Sequence, residues 1–249
     1  MQPTVKSKRT IILVHGFQLP RQIWQKYIEH YGKDFHIILP VITGHDPDKK
    51  EEFTSFEDEA KAIEDYILEK YGDRVYAIFG MSMGGVLTAT LWQNKRLRFD
   101  NVIFDGSPLT SMNPLLKAYM RSFYLKVTRK SQQRDRKTLD RAAGTIVPKE
   151  NLEDFLKVLD NMSDQTIAAS INGIADFKLK ADTETPDTKV FYFHGTASNE
   201  MLAKKTAKFL KKHHPSAEIK VFEGKGHCEN SLLHPEVMIK ELDMILKQQ

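Results

Sequence analysis

Gly80-Met81-Ser82-Met83-Gly84-Gly85 follows directly on the apolar run Val75-Tyr76-Ala77-Ile78-Phe79. Glycine costs backbone entropy and brings no side chain to pack, so this density of glycines needs a geometric reason. Read with its flanks, the stretch is a strand, a sharp turn and then a helix over Met83 to Gln93. Two readings compete. Ser82 is the ordinary N-cap of a glycine-rich connection, or the stretch is G-x-S-x-G, a strained turn that presents a serine hydroxyl. The position between strand and helix favours the second.

Outward from this turn the same alternation recurs. Strands are expected at Thr10–Val14, Phe35–Leu39, Val75–Phe79, Asn101–Phe104, Lys189–Phe193 and Glu218–Phe222. Helices are expected over Pro20–Tyr31, Ser55–Tyr71, Met83–Gln93, roughly Glu200–Lys212 and Pro235–Lys247. Strands apolar on both faces, each followed by a helix, imply a parallel sheet covered on both sides. The expected fold is α/β, with about six mainly parallel strands flanked by helices. Ligands in such sheets bind at the carboxyl ends of the strands, where the glycine turn lies.

Residues 107–188 carry no strand signal but show helical patterns near 113–128, 135–143, 149–161 and 163–174. A crossover needs only a dozen or so residues. The chain therefore divides into a core of residues 1–106 and 189–249 and an inserted helical cap, 107–188. Lys117–Arg141 is rich in basic residues, which suits an anionic substrate, an acidic lipid surface or a thioester carrier; a solvated helix face is the plainer explanation. Met112, Leu115, Leu116, Tyr119, Met120 and Phe123 are at helical spacing and suit either an acyl pocket or packing of cap on core.

The 249 residues, 28% charged and with a net charge of +4, describe a globular chain with no compositional pull toward nucleic acid. No window approaches a spanning helix, and the basic N-terminus leads into an apolar run too short for a signal-peptide core. The lone Cys228 excludes an internal disulfide framework, fits a reducing cytoplasm and excludes a multi-cysteine zinc site. No metal or organic cofactor is implied. Oligomeric state, monomer or homodimer, is not written in the sequence.

A serine nucleophile needs a base. His227, in the turn after the last strand, can swing over Ser82. His213 and His214, at a helix end, read as solvated, and His15 as a brace for its own loop. For the acid that orients the imidazole, Asp105 and Glu200 both sit at strand ends. After the first strand, Gly16 lets the backbone approach a substrate, and Phe17 N–H can oppose Met83 N–H as a pair of oxyanion donors. Gly16 and Met81 are the expected substrate-binding positions.

With His15-Gly16-Phe17, Gly44-His45-Asp46, Gly80–Gly85, His194-Gly195 and Gly226-His227 in this order, nearly the whole chain resembles the α/β-hydrolase superfamily, in particular esterase-like serine hydrolases with a helical cap. The resemblance implies Ser82 as nucleophile, His227 as base, and Phe17 and Met83 as oxyanion donors. It departs from the family in three places. The leading hairpin is missing or trimmed. The usual acid position is Ser198, so Glu200, two residues on, is favoured while Asp105 stays open. Finally, a serine stands where dehalogenases and epoxide hydrolases have aspartate. The implied function is hydrolysis of small or medium acyl carboxylic esters through an acyl-enzyme. A thioesterase, a carbon–carbon bond hydrolase, a proline-type aminopeptidase (using Glu150, Glu153 or Asp154 to hold the amino group) and a slow-turnover ligand-binding protein are the alternatives.

Overall fold

The structure, a computed structural model, describes residues 8–183 and 187–247. The basic N-terminal stretch and positions 184–186 of the inserted segment lie outside the described residues. Six strands form one sheet: β1 (Arg9–Val14), β2 (Phe35–Ile38), β3 (Arg74–Met81), β4 (Arg98–Asp105), β5 (Lys189–Gly195) and β6 (Glu218–Phe222). Their order is β2-β1-β3-β4-β5-β6, and every pairing is parallel.

Side chains alternate across a strand, and here both faces are buried, which explains the near-continuous apolar runs. Ile12, Val14, Ile78, Val102, Phe104 and Tyr192 face one core layer, which also holds the inner faces of helices α2 (Phe56–Tyr71), α3 (Met83–Asn94) and a later helix after β5. Ile11, Leu13, Ala77, Phe79, Ile103 and Phe191 face the other, covered by α1 (Gln25–Tyr31) and the C-terminal helix. The edge strand β6 is mostly exposed and carries Glu218 and Lys220, charges that discourage pairing with another chain.

The register aligns the strand ends that matter. Val14 pairs with Gly80, Met81 with Asp105, and Asp105 with Phe193. The loops after β1, β3, β4 and β5 therefore open on the same edge of the sheet.

Between β4 and β5 run α4 (Pro114–Gln132), α5 (Arg136–Ala142), α6 (Leu152–Asn161, entered through a 3-10 turn at Lys149–Asn151) and α7 (Asp164–Asp176). Capping explains their starts: Asn113 accepts from Leu116 N–H, Asp135 from Thr138 N–H and Ser163 from Thr166 N–H. The same device starts α2, where Ser55 accepts from Asp58 N–H and three acidic residues occupy the first turn. After β5 come α8 (Met201–His213), α9 (Glu229–Leu233) and α10 (Pro235–Leu246).

Three expectations are corrected. Pro20–Tyr31 is not one helix: a 3-10 turn, Arg21–Trp24, precedes α1. His214 is not solvated but buried, its ring 5.6 Å from that of Trp92. The apolar positions in and just before α4 do not act together, because Met112 and Met120 pack on the main core while Leu115, Tyr119 and Phe123 point into solvent.

Candidate active site

Ser82 sits between β3 and α3 with φ 50° and ψ −114°, a conformation rarely adopted by non-glycine residues. Tight neighbours hold it there. A Cβ on Gly84 would collide with the carbonyl oxygens of Val14 and His15, and one on Gly80 would meet Thr88 Oγ1 and, at 2.5 Å, Gly84 O. The glycines thus let β3, α3 and the end of β1 meet at one point. Ser82 N–H donates to Asp105 O at 2.8 Å, tying the turn to the end of β4.

His227 lies in the loop after β6, and its Nε2 is 2.8 Å from Ser82 Oγ. Its other nitrogen, Nδ1, lies 3.4 Å from Glu200 Oε2. That distance is long for a hydrogen bond, and the Glu200 carboxylate has no other hydrogen-bond partner among the described residues although the residue is only 1% exposed. The imidazole is the one group described as answering this buried carboxylate. An imidazole protonated at Nδ1 donates toward Glu200 and leaves Nε2 to accept from the Ser82 hydroxyl. Burial alone would depress the His227 pKa; the adjoining Glu200 carboxylate, with Asp105 nearby, more than reverses this and raises it above its ordinary value.

Asp105, at the end of β4, is also buried, but a different group occupies it: Ser231 Oγ donates to its Oδ2 at 2.5 Å. Burial pushes its pKa up to about 6; the Ser231 bond works against that shift and the Glu200 charge adds to it. The next residue, Gly106, has φ +59°, and a Cβ there would lie 2.9 Å from His227 Cε1 and 3.0 Å from Nδ1. The ring is seated against bare backbone. Cys228, in a left-handed conformation beside it, is buried, and burial raises its thiol pKa.

The loop after β1 approaches from the other side: an ideal Cβ on Gly16 would stand 3.6 Å from Ser82 Cβ. Neither Phe17 N–H nor Met83 N–H has an acceptor among the described residues, so both are unspent donors beside Ser82. His15 braces this loop, its Nδ1 bonding Gly16 O at 2.9 Å while Nε2 accepts from Ile42 N–H at 3.1 Å. Burial lowers its pKa to about 4, which keeps it neutral. His45 is held likewise, its pKa lowered to about 3 by burial.

Met81 is placed otherwise than expected. Its side chain is fully buried in the core layer with Leu13 and Phe79 rather than lining a binding position. Three contributors were not visible in the sequence. Ser231 lies on α9, an unforeseen helix, and the loop leading into it is tied by Gly226 N–H donating to Glu229 Oε2 at 2.7 Å. Gln18 and Tyr124 join the loop after β1 to α4: Gln18 Nε2 donates to Thr128 Oγ1 at 2.6 Å, and the Phe17 and Tyr124 rings meet edge to face at 5.2 Å.

A cleft of about 870 Å³ reaches His227 between Gln22, Lys26, Lys149, Glu150 and Asn199. Its wall mixes charged side chains of both signs with apolar ones, Ile23, Leu232 and Leu233 among them. Among the described residues no group of three or more His, Cys, Asp or Glu is arranged to hold a metal ion, and no helix is long and apolar enough to cross a membrane.

A sequence model of the alpha/beta hydrolase fold matches residues 9–230, and the chain belongs to that family. Among curated proteins, sequence comparison finds no match. Solved structures are similar over nearly the whole chain. One is described as an alpha/beta hydrolase family protein from Desulfitobacterium hafniense (18% identity, 96% of both chains, TM-score 0.76). Another is a thermophilic esterase from Thermogutta terrifontis (17% identity, 97% of this chain and 90% of that one, TM-score 0.74). A third is 2-hydroxy-6-oxo-6-phenylhexa-2,4-dienoate hydrolase from Rhodococcus sp. strain RHA1 (20% identity, 97% and 91%, TM-score 0.74). At these identities the likeness speaks for the fold.

Proposed function

We propose that the protein is a serine hydrolase that cleaves carboxylic esters of small or medium acyl chains. The observation that carries this reading is the 2.8 Å contact between His227 Nε2 and the hydroxyl of Ser82, a serine held in a strained turn. In the proposed mechanism His227 takes the Ser82 proton as Oγ attacks the ester carbonyl. The oxyanion forms against the N–H groups of Phe17 and Met83, which have no competing acceptor among the described residues. His227 then protonates the leaving alcohol, and water, activated by the same imidazole, releases the acid.

Glu200 is the proposed acid. What supports it over Asp105 is its approach to Nδ1 with no other hydrogen-bond partner described, whereas the Asp105 carboxylate is engaged by Ser231. Residues 107–188 are proposed to act as the cap, with the Phe17–Tyr124 and Gln18–Thr128 contacts as its hold on the oxyanion loop.

The test is hydrolysis of a p-nitrophenyl ester series from acetate to palmitate by wild type and Ser82→Ala. Wild type should cleave with a chain-length optimum, and Ser82→Ala should lose at least roughly a thousandfold in kcat. No cleavage above background by folded wild type would refute the ester reading. Cleavage undiminished in Ser82→Ala would refute the nucleophile.

A further inference from the structure

Helix α4 presents an outer face that the fold leaves uncovered. Leu115, Tyr119 and Phe123, at successive turns, are 85%, 63% and 44% exposed, and the last two rings stack at 6.1 Å. Exposing large apolar groups in a row is unfavourable in water unless something covers them. The same face continues into Lys126 and Lys130, because residues 115, 119, 126 and 130 fall within about 60° around the helix. The whole helix contains no acidic residue. Lys117 and Arg129 are paired with Asp176 and Asp164, but Arg121, Lys126 and Lys130 make no ion pair among the described residues.

Helix α8, joined by one hydrogen bond to the segment before α4, repeats the arrangement. Met201, 69% exposed, leads a stripe of Lys205, Lys208 and Lys212, again in a helix without acidic residues. Lys205 Nζ donates to Ser111 O at 2.6 Å. That bond ties α8, one turn after Met201, to the segment that leads into α4.

We propose that this α4–α8 face docks on an anionic lipid surface. A lipid surface satisfies both halves of the stripe together: apolar side chains enter the acyl boundary while lysines meet phosphate and carboxylate headgroups. The inner side of α4, with Tyr124 and Thr128, lies on the loop after β1, so docking would bring lipid to the roof of the candidate site. Binding itself does not depend on the hydrolase reading.

The experiment is co-sedimentation of the full chain with phosphatidylcholine vesicles, with and without phosphatidylserine. Binding should require phosphatidylserine and fade as salt rises from about 0.05 to 0.5 M. Lys126→Glu/Lys130→Glu should weaken it roughly 30-fold or more. Leu115→Glu/Tyr119→Glu should abolish it, and Val237→Glu, at an exposed apolar position on α10, should leave it unchanged. Each variant is checked for an unaltered circular dichroism spectrum and melting temperature before use. Equal binding to neutral vesicles, no binding to either, or tighter capture of a single-stranded oligonucleotide than of anionic vesicles would overturn the proposal. So would self-association of the wild type that Leu115→Glu/Tyr119→Glu removes.

Discussion

Glu200→Gln isolates the charge behind the imidazole while nearly preserving its shape. In the proposed mechanism His227 becomes imidazolium in the transition state, 3.4 Å from Glu200 Oε2. At an effective dielectric of about 20, a unit pair at that separation is worth about 5 kcal/mol, which corresponds to between three and four decades in rate. A glutamine placing its NH2 toward Nδ1 would also reverse the tautomer, a loss of the same order. The expected result is therefore a fall in kcat of roughly a thousandfold or more, with KM little changed, measured on the best p-nitrophenyl ester. The pH profile should move too. Glu200 raises the His227 pKa, and the base works only when neutral, so activity is lost as pH falls through that raised value. Without the carboxylate the pKa drops, and the residual activity should persist to lower pH. A loss under tenfold in Glu200→Gln, with an acid limb that stays in place, would refute the assignment; a loss above a hundredfold in Asp105→Asn alongside it would transfer the role to Asp105.

Two further expectations follow from the same edge of the sheet. Asp105→Asn keeps an oxygen to accept from Ser231 and should retain activity within about tenfold. Burial raises the Asp105 pKa to about 6 in the fold, so ionising it costs stability as pH rises from about 4 to 6; thermal melts should show the variant gaining on wild type at pH 8 relative to pH 4, by at most about 3 kcal/mol. Gly106→Ala places a Cβ 2.9 Å from His227 Cε1 and from Cys228 Sγ at a positive φ, and should cost roughly 1–3 kcal/mol in denaturant melts together with more than tenfold in kcat; an active, equally stable variant would show that the ring is not seated as described.

The alternation of apolar strands with helices was sufficient for the parallel sheet. Strands such as Ile11–Val14 are buried on both faces, and only helices on either side can bury them so. The turn at Ser82 was equally legible, because few arrangements other than a crowded strand-to-helix junction call for glycine at 80, 84 and 85. The same local reasoning located the inserted helices, since Asn113, Asp135 and Ser163 cap them with their own side chains.

What lies between elements was not local and could not be read. Glu200 and Asp105 both occupy strand ends, and periodicity treats them alike. Register and loop path turn Glu200 toward His227 Nδ1 and set Ser231, from a helix the sequence hid, against Asp105. Met81 looked like part of a binding position because it adjoins Ser82, but the two-residue alternation of β3 sends its side chain into the core. The apolar spacing of α4 was visible, yet the direction each side chain faces depends on how α4 lies against α6, α7 and the loop after β1. Sequence by itself determined the six strands and most of the helices, because capping, glycine geometry and apolar period act within a few residues. The tertiary structure alone decided which buried carboxylate meets the imidazole and which face of α4 stays exposed, because those outcomes depend on contacts between residues far apart in the chain.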